Sequence, residues 1–371
     1  MLNNLNPTVT EHPIVQQLAE MVRPYLWVRT TNPINRDEAV IFQGVLRLEA
    51  EAVFEHLREP FRRLGYVPIL RRTADGTDIV VAQKSSPTIV KNNLWLNLAL
   101  LALTFGSTVI AGANIHNLSV FSVGRELSGW MQILLAGGAF AFTLLLILGV
   151  HEFGHFFVAR WHGLQVTLPF FIPAPFGLGT FGAVIQMKSP LDSRKALFDV
   201  GIAGPLAGIV VAIPLLMLGL LTSPIIPTAQ AGGIGSALNY NLLMNALVGV
   251  LIDVPAGMTL QLNAIAIAAW FGLFITAMNL LPLGQLDGGH IAYATFGKWA
   301  RGIGWLTMLG LLVASSQWGG WLTWALFALL SGLRPAQPLN DITPLDGYRR
   351  MWAVVWALLF LLLITPQPFL S

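Results

Sequence analysis

His151 and His155 stand four residues apart with Glu152 beside the first, in the string HEFGH. Positions four apart share one face of a helix, so both imidazoles can reach a single zinc ion, with the carboxylate next to the water such an ion binds. The string closes an uncharged run from Trp130 to Val150, long enough to cross a bilayer at about 1.5 Å rise per residue. Ionisable groups are costly to bury in a membrane helix, so they read as functional until a structural partner is found. The plain alternative is a pair of packing histidines with Glu152 as their hydrogen-bond partner. Burying that trio needs a compensating network with no evident purpose.

A third ligand is expected from another span, and Asp287 supplies it. Asp287 is the only acid between Asp253 and Asp341, and it lies in NLLPLGQLDGGH (Asn279–His290), where Pro282 must loosen the helix. Unwound backbone at membrane depth is tolerated where it lines a cavity in the protein. Two imidazoles, one carboxylate and an open fourth position make a catalytic zinc geometry, with one zinc per chain and Glu152 as the proton-transfer group. A helix cap is the simpler role for Asp287. His290 is a rival ligand, placed past two glycines toward the aqueous side. Asn279 lies on the site side of Pro282 and suits either a contact to substrate backbone or oxyanion, or an interhelical hydrogen bond.

These groups need a membrane scaffold, and the composition provides one. Of the 371 residues 55% are hydrophobic and 11% charged, against roughly 25% charged in an ordinary soluble domain. Residues 1–91 hold 11 of the 21 Lys and Arg and 10 of the 18 Asp and Glu, so the front quarter is polar and the remainder is apolar. Cysteine is absent, which excludes disulfides, thiolate zinc sites and a cysteine nucleophile. The basic residues of the apolar part flank its spans, so membrane topology explains them better than nucleic acid, which is not expected as a partner. Residues 1–90 lack the continuous apolar stretch of a cleavable signal peptide.

The front quarter reads as a small α+β domain, 1–90. Residues 1–12 are expected to be loose, and Pro13 to Arg23 to form a short amphipathic helix ended by Pro24. Ala39–Leu48 reads as a strand and Glu49–Leu64 as a helix bent or broken at Pro60. Val67–Arg72 and Asp78–Gln83 read as a hairpin turning at Asp75-Gly76, with the domain ending near Ser85-Ser86-Pro87. Apolar spans follow at about 93–113, 130–155, 196–221, 263–283, 303–316, 319–332 and 351–366, about seven in all, of which the short fifth and sixth read as a tight hairpin across the membrane or a re-entrant pair. With the N-terminal domain in the cytoplasm, the inside loops hold nine basic residues (Arg160, Lys188, Arg194, Lys195, Lys298, Arg301, Arg334, Arg349, Arg350) and the outside loops hold Arg125 alone. That asymmetry puts the His151 end of its span near the cytoplasm and the C-terminus outside.

Two strings together, HEFGH and NLLPLGQLDGG, resemble the site-2 protease family of intramembrane zinc metalloproteases, and the likeness covers essentially the whole membrane region, 91–371. Thr167–Lys188 (TLPFFIPAPFGLGTFGAVIQMK) resembles that family's membrane re-entrant β-hairpin, and Ala203–Gly208 (AGPLAG) the small-residue motif of its third core helix. FQGVLRLEAEAVFEHL and GTFGAVIQMKSPLDSRKALFDVGIAGPLAG look most like the plant and cyanobacterial-type branch that includes the EGY proteases. No PDZ-like insert fits in Thr222–Leu262, unlike the envelope-stress branch. The resemblance implies a zinc core at 130–290 with extra spans at 303–366. It makes His151, His155 and Asp287 zinc ligands and Glu152 the catalytic acid/base. Gly179, Thr180, Phe181 and Gly182 then belong to a hairpin edge that binds unwound substrate backbone.

The expected activity is cleavage of transmembrane segments of membrane proteins by water acting with Glu152. The partners are transmembrane protein substrates and the lipid bilayer, and the N-terminal domain is expected to dock substrate, cap the site or bind a regulator, among which the sequence does not choose. The expected location is the plasma (inner) membrane of a bacterium. A metal transporter using the same ligands would carry polar groups across the whole bilayer, and spans two to four are apolar beyond the site. A proteolytically silent scaffold would lack Glu152 or a ligand, and all are present. His116 and His162, in or near loops, read as surface residues. Asp346-Gly347 reads as structural, Trp270, Trp305, Trp318, Trp321 and Trp324 as belt or packing residues, and Asn241–Val254 as a surface helix over the outer face.

Overall fold

The computed structural model describes residues 13–35, 38–85, 93–116, 118, 127–332 and 336–369. The expectations for residues 1–12, for the domain border at 86–87, and for Arg125 and Arg334 lie outside the described residues. The chain forms two compact units. One comprises Met1–Ile89 with Pro190–Lys195 and Gln337–Leu345, the other the remaining residues.

The first unit runs α1 (Pro13–Val22), β1 (Leu26–Ile34), β2 (Ala39–Leu46), α2 (Ala50–Arg63), β3 (Tyr66–Arg72) and β4 (Asp78–Lys84). Its antiparallel sheet has the order β1-β2-β4-β3. Alternation along the strands turns Val40, Phe42, Leu70, Val80 and Ala82 to one buried side. The α2 residues Val53, Phe54, Leu57 and Phe61 recur at helical spacing and meet them, with Leu18 and Val22 of α1 closing the core. The turn at Asp75-Gly76 forms as read, with Gly76 at φ 86, a left-handed conformation that glycine adopts without strain.

Two features differ from the sequence reading. β1 joins the sheet beside β2, pairing from Leu26↔Leu46 to Ile34↔Ala39, and it holds Pro33 because an edge strand tolerates a missing donor. α2 continues through Pro60 unbroken. That proline falls in the last turn, and burial of Leu57 and Phe61 on either side outweighs one lost hydrogen bond. The segments 190–195 and 337–345 are fixed to this unit by Leu339 in its core, a bond from Leu70 N to Leu339 O of 2.8 Å, and the pairs Arg58–Asp192 and Arg194–Asp341, both 2.8 Å. The buried leucine contributes more than the partly exposed ion pairs.

The second unit begins with α3 (Leu94–Ile115), α4 (Leu127–Trp161), the hairpin strands β5 (Phe170–Pro173) and β6 (Thr180–Val184), and α5 (Arg194–Leu221), whose first two residues group with the first unit. A loop region follows with β7 (Ile225–Pro227), α6 (Ile234–Ala237), α7 (Leu242–Leu251) and β8 (Met258–Leu260). The chain then forms α8 (Ala264–Asn279), α9 (Asp287–Phe296), α10 (Ala300–Ala314), α11 (Gly320–Ser331) and α12 (Gly347–Leu363).

Three of the described helices, α3, α4 and α5, are long and apolar enough to cross a membrane, with mean hydropathies of 1.8, 2.5 and 2.3. The later apolar helices are shorter: α8 has 16 residues, α10 15, α11 12 and α12 17. α8 stops at Asn279, ahead of Pro282, so the span expected to reach residue 283 ends one turn sooner. α4 runs on to Trp161, and HEFGH therefore sits inside a helix rather than at its end.

Small residues bring these helices close. A side chain at Gly137 would meet the Val109 carbonyl, and one at Gly112 would lie 2.6 Å from Phe140 Cβ, so α3 and α4 touch along their backbones. α3 also holds the hairpin, with Asn97 Nδ2 donating to Pro169 O at 2.8 Å and Ser107 Oγ to Gly179 O at 2.6 Å. Asn241 caps α7, whose residues Leu242 and Val250 are exposed. Trp270 and Trp321 are packing residues at full burial, whereas Trp305 is exposed.

Candidate metal centre

α4 carries His151, Glu152 and His155 on its buried side because 3.6 residues per turn return positions 151, 152 and 155 to one face. α9 begins at Asp287 after the break at Pro282, which brings that carboxylate back toward α4. His151 Nε2 lies 3.2 Å from Asp287 Oδ2 and 3.2 Å from His155 Nε2, and His155 Nε2 lies 3.3 Å from Asp287 Oδ2. Among the described residues these three form the group able to hold a metal ion.

The triangle has the size that zinc requires. Donors held tetrahedrally at about 2.0–2.1 Å from a zinc ion are separated by about 3.3 Å. Three lone-pair groups aimed at one buried point repel each other until a cation is shared among them. His155 Nδ1–H donates to Val200 O on α5 at 2.7 Å, which leaves Nε2 as the nitrogen with a free lone pair. The donor set and its outer contact both fit zinc.

Glu152 is buried beside this triangle, and its Oε2 accepts a hydrogen bond of 3.0 Å from the Ile185 amide, one residue past β6. Asn279 ends α8 with Nδ2 at 3.5 Å from His151 Nε2. Asp287 is the first residue of α9, and the cap position is Leu286 with no side-chain bond, so the carboxylate is not serving as a helix cap. His290 is buried one turn further on and stands outside the metal group, with Nδ1 lacking a hydrogen-bond partner.

α5 forms the wall opposite. A Cβ at Gly204 would collide with the His155 imidazole, and one at Gly208 would lie 3.3 Å from His151 Cβ and Nδ1. On the α4 side, a Cβ at Gly154 would come within 2.6 Å of Ala203 O. The string AGPLAG thus lets α5 lie directly against both imidazoles, with no room for a side chain at Gly204 and little at Gly208.

The hairpin residues divide. Gly179, at φ 79, is pressed against the backbone of Ser107 on α3, and Thr180 Oγ1 donates to Ile172 O at 3.0 Å within the hairpin. Phe181 is exposed, and Gly182, at φ 99, has open space where a side chain would stand. Of the four, Phe181 and Gly182 are therefore the accessible ones. The carbonyl of Val200 and the amide of Ile185 escaped the sequence reading, because backbone groups carry no residue signature. His162, expected at the surface, is partly exposed and paired to Asp199 on α5 at 3.0 Å.

Known proteins similar to this chain include zinc metalloproteases. Residues 139–313 match the model of Peptidase family M50. The chain is 30% identical over 408 residues to "Probable zinc metalloprotease EGY1, chloroplastic" of Oryza sativa subsp. japonica, covering 99% of this chain and 70% of that one. It is 30% identical over 384 residues to the protein of the same name from Arabidopsis thaliana, covering 92% and 68%. "Probable zinc metalloprotease EGY2, chloroplastic" of Arabidopsis thaliana is 33% identical over 250 residues, covering 64% and 43%. No solved structure matches. These relatives are chloroplastic, so the expected bacterial plasma membrane finds no support in them; residence in a membrane is supported by the apolar helices α3, α4 and α5.

Proposed function

We propose a specific activity for this chain, which belongs to peptidase family M50, the site-2 protease family of membrane zinc metalloproteases: it hydrolyses peptide bonds within transmembrane segments of other membrane proteins. The observation that carries the reading is the convergence of His151, His155 and Asp287 on one buried point, with Glu152 beside them on a helix apolar enough to cross a bilayer. His151, His155 and Asp287 would hold the zinc. When bound there, zinc polarises the scissile carbonyl and lowers the pKa of a coordinated water toward about 7.

The chain's own residues move the protons. Glu152 Oε2 is engaged by the Ile185 amide, which leaves Oε1 to take a proton from the attacking water. The water oxygen bonds to the carbonyl carbon. The C–N bond then breaks as Glu152 returns the proton to the departing amine. Asn279 Nδ2, next to His151, donates to the carbonyl oxygen as its negative charge grows.

A transmembrane substrate must unwind before it can be cut, since helical peptide groups are engaged with one another. The freed amides need partners, and the β6 edge at Phe181 and Gly182 offers an added strand that leads to Glu152 through Ile185. The proposed membrane arrangement adds the shorter apolar helices α8, α10, α11 and α12 to the three long ones, seven apolar segments in all, with α10 and α11, at 15 and 12 residues, forming a tight hairpin across the membrane or a re-entrant pair. In this reading the His155 end of α4 and the N-terminal region face the cytoplasm, supported by the nine basic residues that the sequence sets between the apolar segments on that side against Arg125 on the other. The hairpin enters the membrane from that side, and the first unit receives the substrate or a regulator.

The test uses full-length protein in proteoliposomes with a single-pass membrane peptide. Chelation is expected to stop cleavage, and zinc alone to restore it. Asp287→Ala is expected to hold less than a tenth of the zinc of the unaltered protein. Glycine or asparagine placed within the substrate's membrane segment is expected to speed cleavage by easing unwinding. Cleavage that persists without zinc overturns the proposal.

A further inference from the structure

α12 lies outside the region that matches the family model, yet it grips both walls of the metal centre. On one side, Arg349 makes a two-pronged contact with Asp199 of α5, Nε to Oδ1 at 2.7 Å and Nη2 to Oδ2 at 2.6 Å. His162, just past the end of α4, reaches the same carboxylate at 3.0 Å. The third guanidinium nitrogen, Nη1, bonds Asp346, which also caps α12 by accepting from Arg349 N at 2.9 Å. Asp199 immediately precedes Val200, whose carbonyl holds His155 Nδ1. On the other side, Trp356 donates from Nε1 to Leu280 O at 3.1 Å, and Leu280 immediately follows Asn279. Seven residues separate Arg349 from Trp356, so both leave the same face of α12.

We propose that α12 is a positioning strut for the zinc site, in which Arg349 and Asp199 fix the carbonyl that orients His155, and Trp356 fixes the end of α8 at Asn279. The choice of groups supports this over simple packing. An apolar helix docks on its neighbours without charge, whereas this half-buried guanidinium is held by all three of its nitrogens between two carboxylates, an arrangement that packing alone does not call for. A bidentate fork also fixes direction, which a single ammonium contact does not. The displacement allowed to Asp199 is therefore small, and Val200 moves with it.

The inference rests on the zinc assignment made above, so its test is built on zinc rather than on substrate. Full-length protein in detergent is stripped with chelator and titrated with zinc alone. The readouts are the zinc-induced rise in Tm and the rate of zinc loss to chelator. Arg349→Met and Asp199→Asn are each expected to release zinc roughly 10–100-fold faster, and the double variant no faster than the worse single one. Trp356→Phe keeps an aromatic ring but loses the hydrogen bond to Leu280 O and part of the indole's volume, and is expected to show a smaller effect, under about 10-fold. If Arg349→Met fails to fold, Arg349→Lys carries the same test, because it keeps the charge and loses the fork. Variants that melt earlier without zinc but release it at the unaltered rate overturn the strut and leave only a packing role. Absence of any zinc-induced rise in the unaltered protein overturns the zinc assignment itself.

Discussion

Glu152→Gln is expected to reduce peptide hydrolysis by at least about 10³-fold while leaving zinc content at one per chain. The amide keeps the size of the carboxylate, and its oxygen still accepts the Ile185 N–H, so the contact of 3.0 Å survives. It cannot take a proton from water or return one to the leaving amine, and acid–base transfer of this kind contributes about 10²–10⁴-fold. Both proton steps pass through the same group, which places the loss toward the upper end. None of the proposed ligand atoms changes, so His151, His155 and Asp287 retain the ion. The measurement pairs cleavage of a membrane peptide in proteoliposomes with zinc content by mass spectrometry. Cleavage at the unaltered rate, with zinc present, removes Glu152 from the mechanism. Loss of zinc together with activity shows instead that Glu152 acts by holding the site together.

The parts of this site that appear in the sequence are those whose side chains are chemically distinctive. HEFGH announces itself because histidine and glutamate are out of place in an apolar helix, and Asp287 because no other acid lies near it. The hairpin at β5 and β6 shows through its prolines and glycines, which mark bends whatever surrounds them. What orients these groups was harder to read. Val200 O and Ile185 N–H are backbone atoms, and any residue would provide them. His162, Asp199 and Arg349 are 37 and 150 positions apart in the pairs they form, so no local pattern joins them. β1 was missed for a related reason: LWVRTTNPI has little apolar alternation, because an edge strand with one exposed face needs little. Hydropathy also located each apolar segment better than it gave its length. α8 ends at Asn279 because Pro282 follows, and apolar residues beyond a proline do not extend a helix.

Gly204→Ala is the smallest change expected to disable the centre. It adds a single methyl group, yet a Cβ there would overlap the His155 ring at Nε2, Cδ2 and Cε1. The ring cannot swing aside freely, because Nδ1 is held by Val200 O at 2.7 Å on the same helix. Nor can α5 retreat without opening its seam with α4, where Gly154 already sits against Ala203 O. The expected result is zinc affinity lowered by at least about 100-fold and cleavage lost with it, by analogy with the cost of displacing an outer contact of a ligand. Two further variants grade the effect. Gly208→Ala puts its methyl 3.3 Å from His151 Cβ, tight but open to adjustment by a few tenths of an ångström, and about a 10-fold loss is expected. Gly138→Ala has nothing within 4 Å on the same helix as the histidines, and zinc affinity should be unchanged. Zinc titration of the three variants separates the explanations. A fall ordered 204, 208, 138 follows from steric access to the imidazoles. Equal losses at 204 and 138 would trace the effect to helix flexibility and remove the close approach of α5 from the account of the metal site.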